Sequence, residues 1–178
     1  MKSILIFTVL ALVLSVSCQN ELSLQKYFVE QSDNRNFVAV DISPSFLKTE
    51  HMKLTAEQTK ALESFEKMNV LAFKCDGKNQ KQFEAERIKV NAILKDEKYQ
   101  QLMKFGSGKD GASVSFVGED EHINEFVVYA NQAEKGFAIV RVLGKDMSPT
   151  TIMNMMSILK DSKLDMEQLK PLQALITK

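Results

Sequence analysis

Between residues 22 and 31 the apolar side chains fall at Leu24, Tyr27 and Phe28. That is the spacing of one helix face, so it predicts a short amphipathic helix, which Asp33-Asn34 ends. FVAVDI, Phe37 to Ile42, predicts a strand, and Ser43-Pro44 breaks it. Pro44 suits the first position of a helical turn over PSFLK. Thr55 and Gln58 have the spacing of a capping box. The helix they open has Ala61, Leu62, Phe65 and Met68 as its expected buried stripe. Val70 to Cys75 predicts a second strand, with Leu71, Phe73 and Cys75 on one face. Gln80 to Lys95 predicts a long charged helix that aligns Phe83, Val90 and Leu94, and its alternating charges make a solvated outer face. Tyr99, Leu102 and Met103 predict a further helical turn.

Strands are expected at Ala112 to Val117, Glu125 to Ala130 and Phe137 to Leu143. NQAEKG joins the last two at hairpin length and contains a glycine. Ser148 suits an N-cap and Pro149 the first helical position of a last helix, striped by Ile152, Met153, Met156 and Leu159. Met155 falls off that stripe. A helical tail over 161–178 holds Met166, Leu169, Leu172 and Ile176, with Pro171 breaking or kinking it. The order α-β-α-β-α-β-β-β-α predicts an α+β fold. A single mixed β-sheet of about five strands, ending in a three-strand meander, is covered by helices in a two-layer sandwich. No repeat, low-complexity tract or linker divides residues 22–160, which read as one domain.

The first residues read differently. Lys2 precedes ILIFTVLALVL, and Ser15, Val16, Ser17 and Cys18 follow. A charged start, a short apolar core and small residues make residues 1–17 a secretory signal. The run is too short for the roughly 20 apolar residues of a bilayer span. Ser-Val-Ser-Cys resembles the lipobox of bacterial lipoproteins, with small Ser17 before the cysteine. Ser15 stands where leucine is usual, which leaves ordinary secretion open. The resemblance implies cleavage before Cys18, a thioether diacylglycerol on its sulfur, and residues 18–21 as a tether. Each buried methylene adds about 0.8 kcal/mol of membrane affinity, so several acyl chains make a lasting anchor. The expected location is the envelope, anchored to the outer membrane, with soluble secreted or periplasmic protein as the alternative.

Composition narrows the partners. Lys2 leaves with the signal, so 23 basic residues become 22 against 23 acidic, a net −1 with histidine neutral. That balance offers no basic excess for nucleic acid and no polybasic stretch for anionic lipid. A hydrophobic share of 44% with 26% charged residues is that of a globular chain. Two cysteines are too few for a disulfide framework. With Cys18 acylated, Cys75 is expected to be a buried, inert thiol. A Cys18–Cys75 disulfide is the rival in an oxidising compartment.

Candidate chemistry is thin. FGSGKDG resembles a phosphate loop, but Met103 stands where a glycine is needed and Asp110 where Ser or Thr is needed. It reads as a helix C-cap and turn between helix and strand. GEDEH clusters Glu119, Asp120, Glu121 and His122, but it meets no zinc or calcium spacing and reads as a solvated acidic turn. His51 lies in the polar stretch KTEHMK, and no G-x-S-x-G occurs. Among the nine methionines, Met147, Met153, Met155 and Met156 crowd one segment. Thioethers can bind Cu(I) or form an adaptable groove. Met153 and Met156 are expected in the core, and Met155 is the one expected to be available. No catalytic, cofactor or metal residue is assigned. The one modification site expected is lipidation at Cys18.

YFVEQSDNRNFVAVDISPSFLK, VLAFKC, ILKDEKYQQLMKF and INEFVVYANQAEKGFAIVRVLGKDMSPTTIMNMM together resemble a family. It is that of Bacteroidota envelope proteins carrying the domain of unknown function numbered four-two-five-two. The resemblance covers about residues 22 to 160. It implies a lipid-anchored or secreted protein and brings no catalytic residues. Gly144 matches a glycine of the family's strand-to-helix turn, a backbone requirement. The expected function is a non-enzymatic binding or interaction domain tethered at the envelope membrane, with a protein partner and no nucleic acid. The alternatives are an accessory of envelope stress signalling, or an enzyme whose site is assembled from scattered residues.

Overall fold

The computed structural model describes residues 22–107, 110–119, 122–161 and 163–164. The expected signal, Cys18 and its tether lie outside them, as does the tail from residue 165. Helix α1 spans Leu24–Gln31, with the Ser23 hydroxyl accepting from the Lys26 amide at 3.2 Å as N-cap. It buries Leu24, Tyr27 and Phe28, the three positions the spacing selects. Strand β1 is Phe37–Ile42. A 3₁₀ turn at Pro44–Phe46 leads into the short β2, Leu47–Lys48. Helix α2, Ala56–Ser64, begins with the expected capping box, both Thr55–Gln58 bonds being made, at 3.0 and 3.2 Å. Next come β3 (Phe65–Lys74), α3 (Gln80–Ile93), β4 (Gln100–Ser107) and β5 (Asp110–Glu119). The chain continues through β6 (His122–Gln132), β7 (Gly136–Met147), α4 (Pro149–Asp161) and β8 (Lys163–Leu164).

The fold is α+β, built on one six-stranded sheet in the order β1-β3-β7-β6-β5-β4. Every described pairing in it is antiparallel, so the sheet is not mixed, and it has one strand more than expected. Helices between strands suggested parallel crossovers, but Ile42 pairs with Met68. The excursion through β2 and α2 therefore leaves and re-enters at the same end of the sheet, as a hairpin does. The sixth strand is β4, where Tyr99, Leu102 and Met103 suggested a helical turn. Gln, Leu, Met and Lys are good helix formers, but pairing with β5 overrides so weak a preference. FGSGKDG accordingly joins strand to strand, with Gly106 at φ +68°, and no helix ends there.

Two other boundaries move. Phe65 and Met68 belong to β3 rather than α2, because the helix closes with the Phe65 amide bonded to the Leu62 carbonyl and the next residues pair with β7. In α4 the buried face turns. Met155 and Ile158 are buried, whereas Met153 and Met156 are 71% and 65% exposed. TIMNMMSIL carries apolar residues around most of the helix, so its partner picks the face. Met155 and Ile158 pack with Ala61, Phe65 and Val70. Lys163–Leu164, expected in a helical tail, pairs as a strand with β2.

The two-layer expectation also gives way. VLAF in β3 is buried at every position, so both faces of the central strands need cover. On one face α1 and α3 close over cross-strand rows such as Phe37–Phe73–Phe137. Phe73 and Phe137 stack at 5.6 Å, and Phe37 meets Phe73 edge-on at 5.1 Å. Such pairs add about 0.5–1.5 kcal/mol each beyond the area they bury. On the other face α2 and α4 cover one end of the sheet, over Val40, Ile42, Val70, Val140 and Val142. Among the described residues the layers are helix, sheet, helix, and the second helical layer covers only part of its face.

All three tyrosines of the chain are buried in the first layer. The Tyr27 hydroxyl donates to Glu86 Oε2 at 2.9 Å, and that of Tyr99 accepts from the Leu24 amide at 3.3 Å. Burial pushes all three phenols above their ordinary value, aided for Tyr27 by the Glu86 carboxylate, and takes Tyr129 up to about 12. The unfolded chain ionises at about 10 and the folded one only at higher pH. Above that pH the unfolded state therefore binds fewer protons, and stability falls as pH rises. Tyrosinate absorbance at 295 nm is expected to rise at higher pH in the folded protein than in the urea-unfolded chain. A full phenol titration at pH 10 with the fold intact would contradict this burial.

Candidate functional site

The half-covered sheet face is the first candidate. Its register stacks like residues across strands. One row is Val38–Ala72–Ala138–Ala130–Ala112–Phe105, and the next is Val40–Val70–Val140–Val128–Val114–Met103. α2 and α4 bury the beginning of the valine row and leave its end open. Val128 is 37% exposed, Met103 47% and Phe105 59%. Four alanines in register leave a shallow trough, because they carry no bulk to fill it. A cavity of about 420 Å³ lies over Ala72, Ala130 and Ala138, with Lys74, Asp110 and Lys135 at its rim. An apolar surface with a polar rim is the usual form of an interaction site. β4 is the outer strand here, and Gln100 to Gly106 are all exposed. A bulge between Gln101 and Met103 and the charge of Lys104 blunt its open edge.

The second candidate lies on the opposite face, where one row is polar. Asp41, Asn69 and Arg141 are cross-strand neighbours on β1, β3 and β7. The Arg141 guanidinium donates to both oxygens of Glu125, Nε to Oε1 at 2.7 Å and Nη2 to Oε2 at 3.0 Å. Nη1 donates to Gln25 Oε1 at 2.7 Å, and the group sits 5.4 Å from the centre of the Phe28 ring. Asn69 Nδ2 donates to Asp41 Oδ1. Arg141 and Asn69 are 4% and 6% exposed. Two-pronged pairing with a carboxylate is the strongest way to hold a buried guanidinium.

Of the residues singled out by sequence, Met103, Phe105 and Asp110 border the first candidate, and the others lie apart from both. Cys75 is buried with Leu71 and Phe73, as strand alternation implied, and its thiol donates to Gln80 Oε1 at 2.9 Å. His51 is exposed in the stretch before α2. His122 Nδ1 lies 2.7 Å from Asp146 Oδ1, both side chains exposed. Glu119 is exposed at the end of β5, and Asp120 and Glu121 lie outside the described residues. Among the described residues no three His, Cys, Asp or Glu side chains are grouped to hold a metal ion. Met155, expected to be available, is core. Gly144 lies inside β7 opposite Phe65, not in a turn. What sequence reasoning missed is the polar row. Its signal is present, because Arg141 takes the same alternation as Phe137 and Ile139, an inward one.

The family model described as Domain of unknown function (DUF4252) matches residues 27–155. The chain belongs to this family. The DUF4252 match starts in α1 and ends within α4, so it takes in the whole six-stranded sheet, the alanine and valine rows and the polar row. No curated protein and no solved structure matches the chain significantly.

Proposed function

We propose that this DUF4252 protein is a lipid-anchored, non-enzymatic interaction domain of the bacterial envelope. It docks a protein partner on the open alanine–valine face of its sheet. The observation that carries the reading is the exposure of Val128, Met103 and Phe105 at the end of apolar rows whose beginning α2 and α4 cover. The lipobox-like residues before Cys18 supply the anchor. Chain direction argues for a protein rather than the anchoring bilayer as occupant. The first described residues lead into α1, which packs on the other face of the sheet, so the described chain begins on the side away from the docking surface. The rim carries both charge signs, in Lys74, Lys135 and Asp110, and makes no basic field for anionic headgroups.

Two measurements test this. Intact mass of protein extracted from its native membrane is expected to fit Cys18–Lys178 plus acyl chains. An unacylated mass two hydrogens light would remove the anchor and put Cys75 in a disulfide. For the face, a photo-crosslinking amino acid at Val128 or Met103 is expected to give one discrete protein adduct in cells. The same probe at Ile88, 62% exposed on α3, should give none. Val128→Lys, placed with the probe at Met103, should abolish the adduct without lowering Tm. Adducts to phospholipid or to a second copy of the chain, or no adduct at all, would overturn the docking reading.

A further inference from the structure

We infer that the cleft at the polar row is a binding site for a small zwitterion, an α-amino acid with an apolar side chain. A cavity of about 310 Å³ opens between α1 and the β1 side of the sheet. Phe28 and Val29 of α1 form one wall, and Asp41, Lys67, Asn69 and Arg141 form the other. That volume is at the low end for ligand pockets, and an apolar wall with a few convergent polar groups is their usual make-up.

The charges choose the ligand. Arg141 is neutralised by Glu125 and does not by itself make an anion site. The bonds to Glu125 and Gln25 use three of its five N–H donors. The remaining full charges at the cavity are one ammonium, Lys67, and one carboxylate, Asp41, both on exposed residues. Their sum is zero, which disfavours a phosphate or a divalent cation and suits a ligand carrying both signs. Its carboxylate would meet Lys67 and the spare guanidinium hydrogens. Its ammonium would meet Asp41 and the Asn69 amide oxygen. Its side chain would lie along Phe28 and Val29. Val29 is 65% exposed, an apolar wall with nothing on it among the described residues.

The physical chemistry of the floor supports a binding role. Apolar replacements for a buried ion pair are often neutral or stabilising, so the fold itself gains little from this row. Buried donors and acceptors held in place by Glu125, Gln25 and Asp41 are instead suited to orienting a polar ligand. The cleft lies on the face opposite the docking surface, so either proposal can fail without the other.

The test is calorimetric titration of the full mature protein with L-leucine and L-phenylalanine. Saturable binding is expected, weakened about tenfold or more, at least 1.4 kcal/mol, when the ligand is N-acetylated or amidated. Asp41→Asn and Lys67→Met, both surface changes expected to fold normally, should each weaken binding to a similar degree. Val128→Lys should leave it unchanged. A leucyl dipeptide that binds as tightly as leucine would move the assignment from a free amino acid to a peptide N-terminus and overturn it as stated. So would equal binding of N-acetyl-leucine, competition by inorganic phosphate, or no saturable heat at millimolar ligand.

Discussion

Glu125→Ala is expected to lower the unfolding free energy by about 3–5 kcal/mol, because it strands a guanidinium in the sheet. Glu125 takes two of the Arg141 hydrogen bonds, and the Arg141 side chain is 5% exposed. Gln25 and the Phe28 ring remain after the change, but neither carries a compensating charge. For a chain of this size that loss corresponds to a fall in Tm of about 10 °C. Two comparisons isolate the cause. The double variant Glu125→Leu with Arg141→Leu removes both charges and is expected to recover most of the loss. Glu66→Ala breaks the Glu66–Lys145 pair, whose side chains are 49% and 79% exposed. It is expected to cost well under 1 kcal/mol, as exposed pairs do. If Glu125→Ala unfolds with the wild-type protein, the guanidinium reaches water and the buried pair is not what holds this row.

Local signals in this sequence carried local structure well. The Thr55–Gln58 capping box, the FVAVDI strand, Ser148-Pro149 and the Leu24–Tyr27–Phe28 stripe all stand where their spacing put them. Each depends on residues within a few positions of one another. The features that moved depend on distant partners. YQQLMKF has the composition of a helix and becomes a strand because β5 lies beside it. TIMNMMSIL is apolar on more than one side, so α2 decides which methionines are buried. Antiparallel order was hidden because a helix between two strands is compatible with either a crossover or a return at the same end.

Neither candidate site is a contiguous motif, so neither is marked by local spacing. The open face arises from register. Ala72, Ala112, Ala130 and Ala138 are ordinary residues on four strands until pairing brings them into line. The polar row was closer to legible. Arg141 in FAIVRVL and Glu125 in INEFVVY each interrupt an apolar run at an inward-facing position. A charge there requires a partner. What alternation could not supply was which charge meets which, since β6 and β7 fix that only on pairing.

Gly144→Ala is the other change with a large expected effect, and it tests the backbone requirement the family glycine suggested. The requirement is a close approach rather than a turn. Gly144 pairs with Phe65 where α2 hands over to β3. A Cβ there would sit 2.1 Å from the Ser64 carbonyl oxygen and 2.8 Å from Met147 Sδ. The sulfur can swing aside, but a carbonyl at a helix–strand junction can move only if the β3–β7 ladder moves with it. The expected cost is about 3 kcal/mol, at the upper end for overpacking. It should appear as a lower urea midpoint with an unchanged slope. Gly77→Ala is the control for conformational strain alone, with φ at +79° and nothing within 4 Å of its Cβ. That change is expected to cost about 1 kcal/mol. Should Gly144→Ala prove no worse than Gly77→Ala, the α2–β7 contact is looser than its geometry indicates, and α2 is free to shift on the sheet.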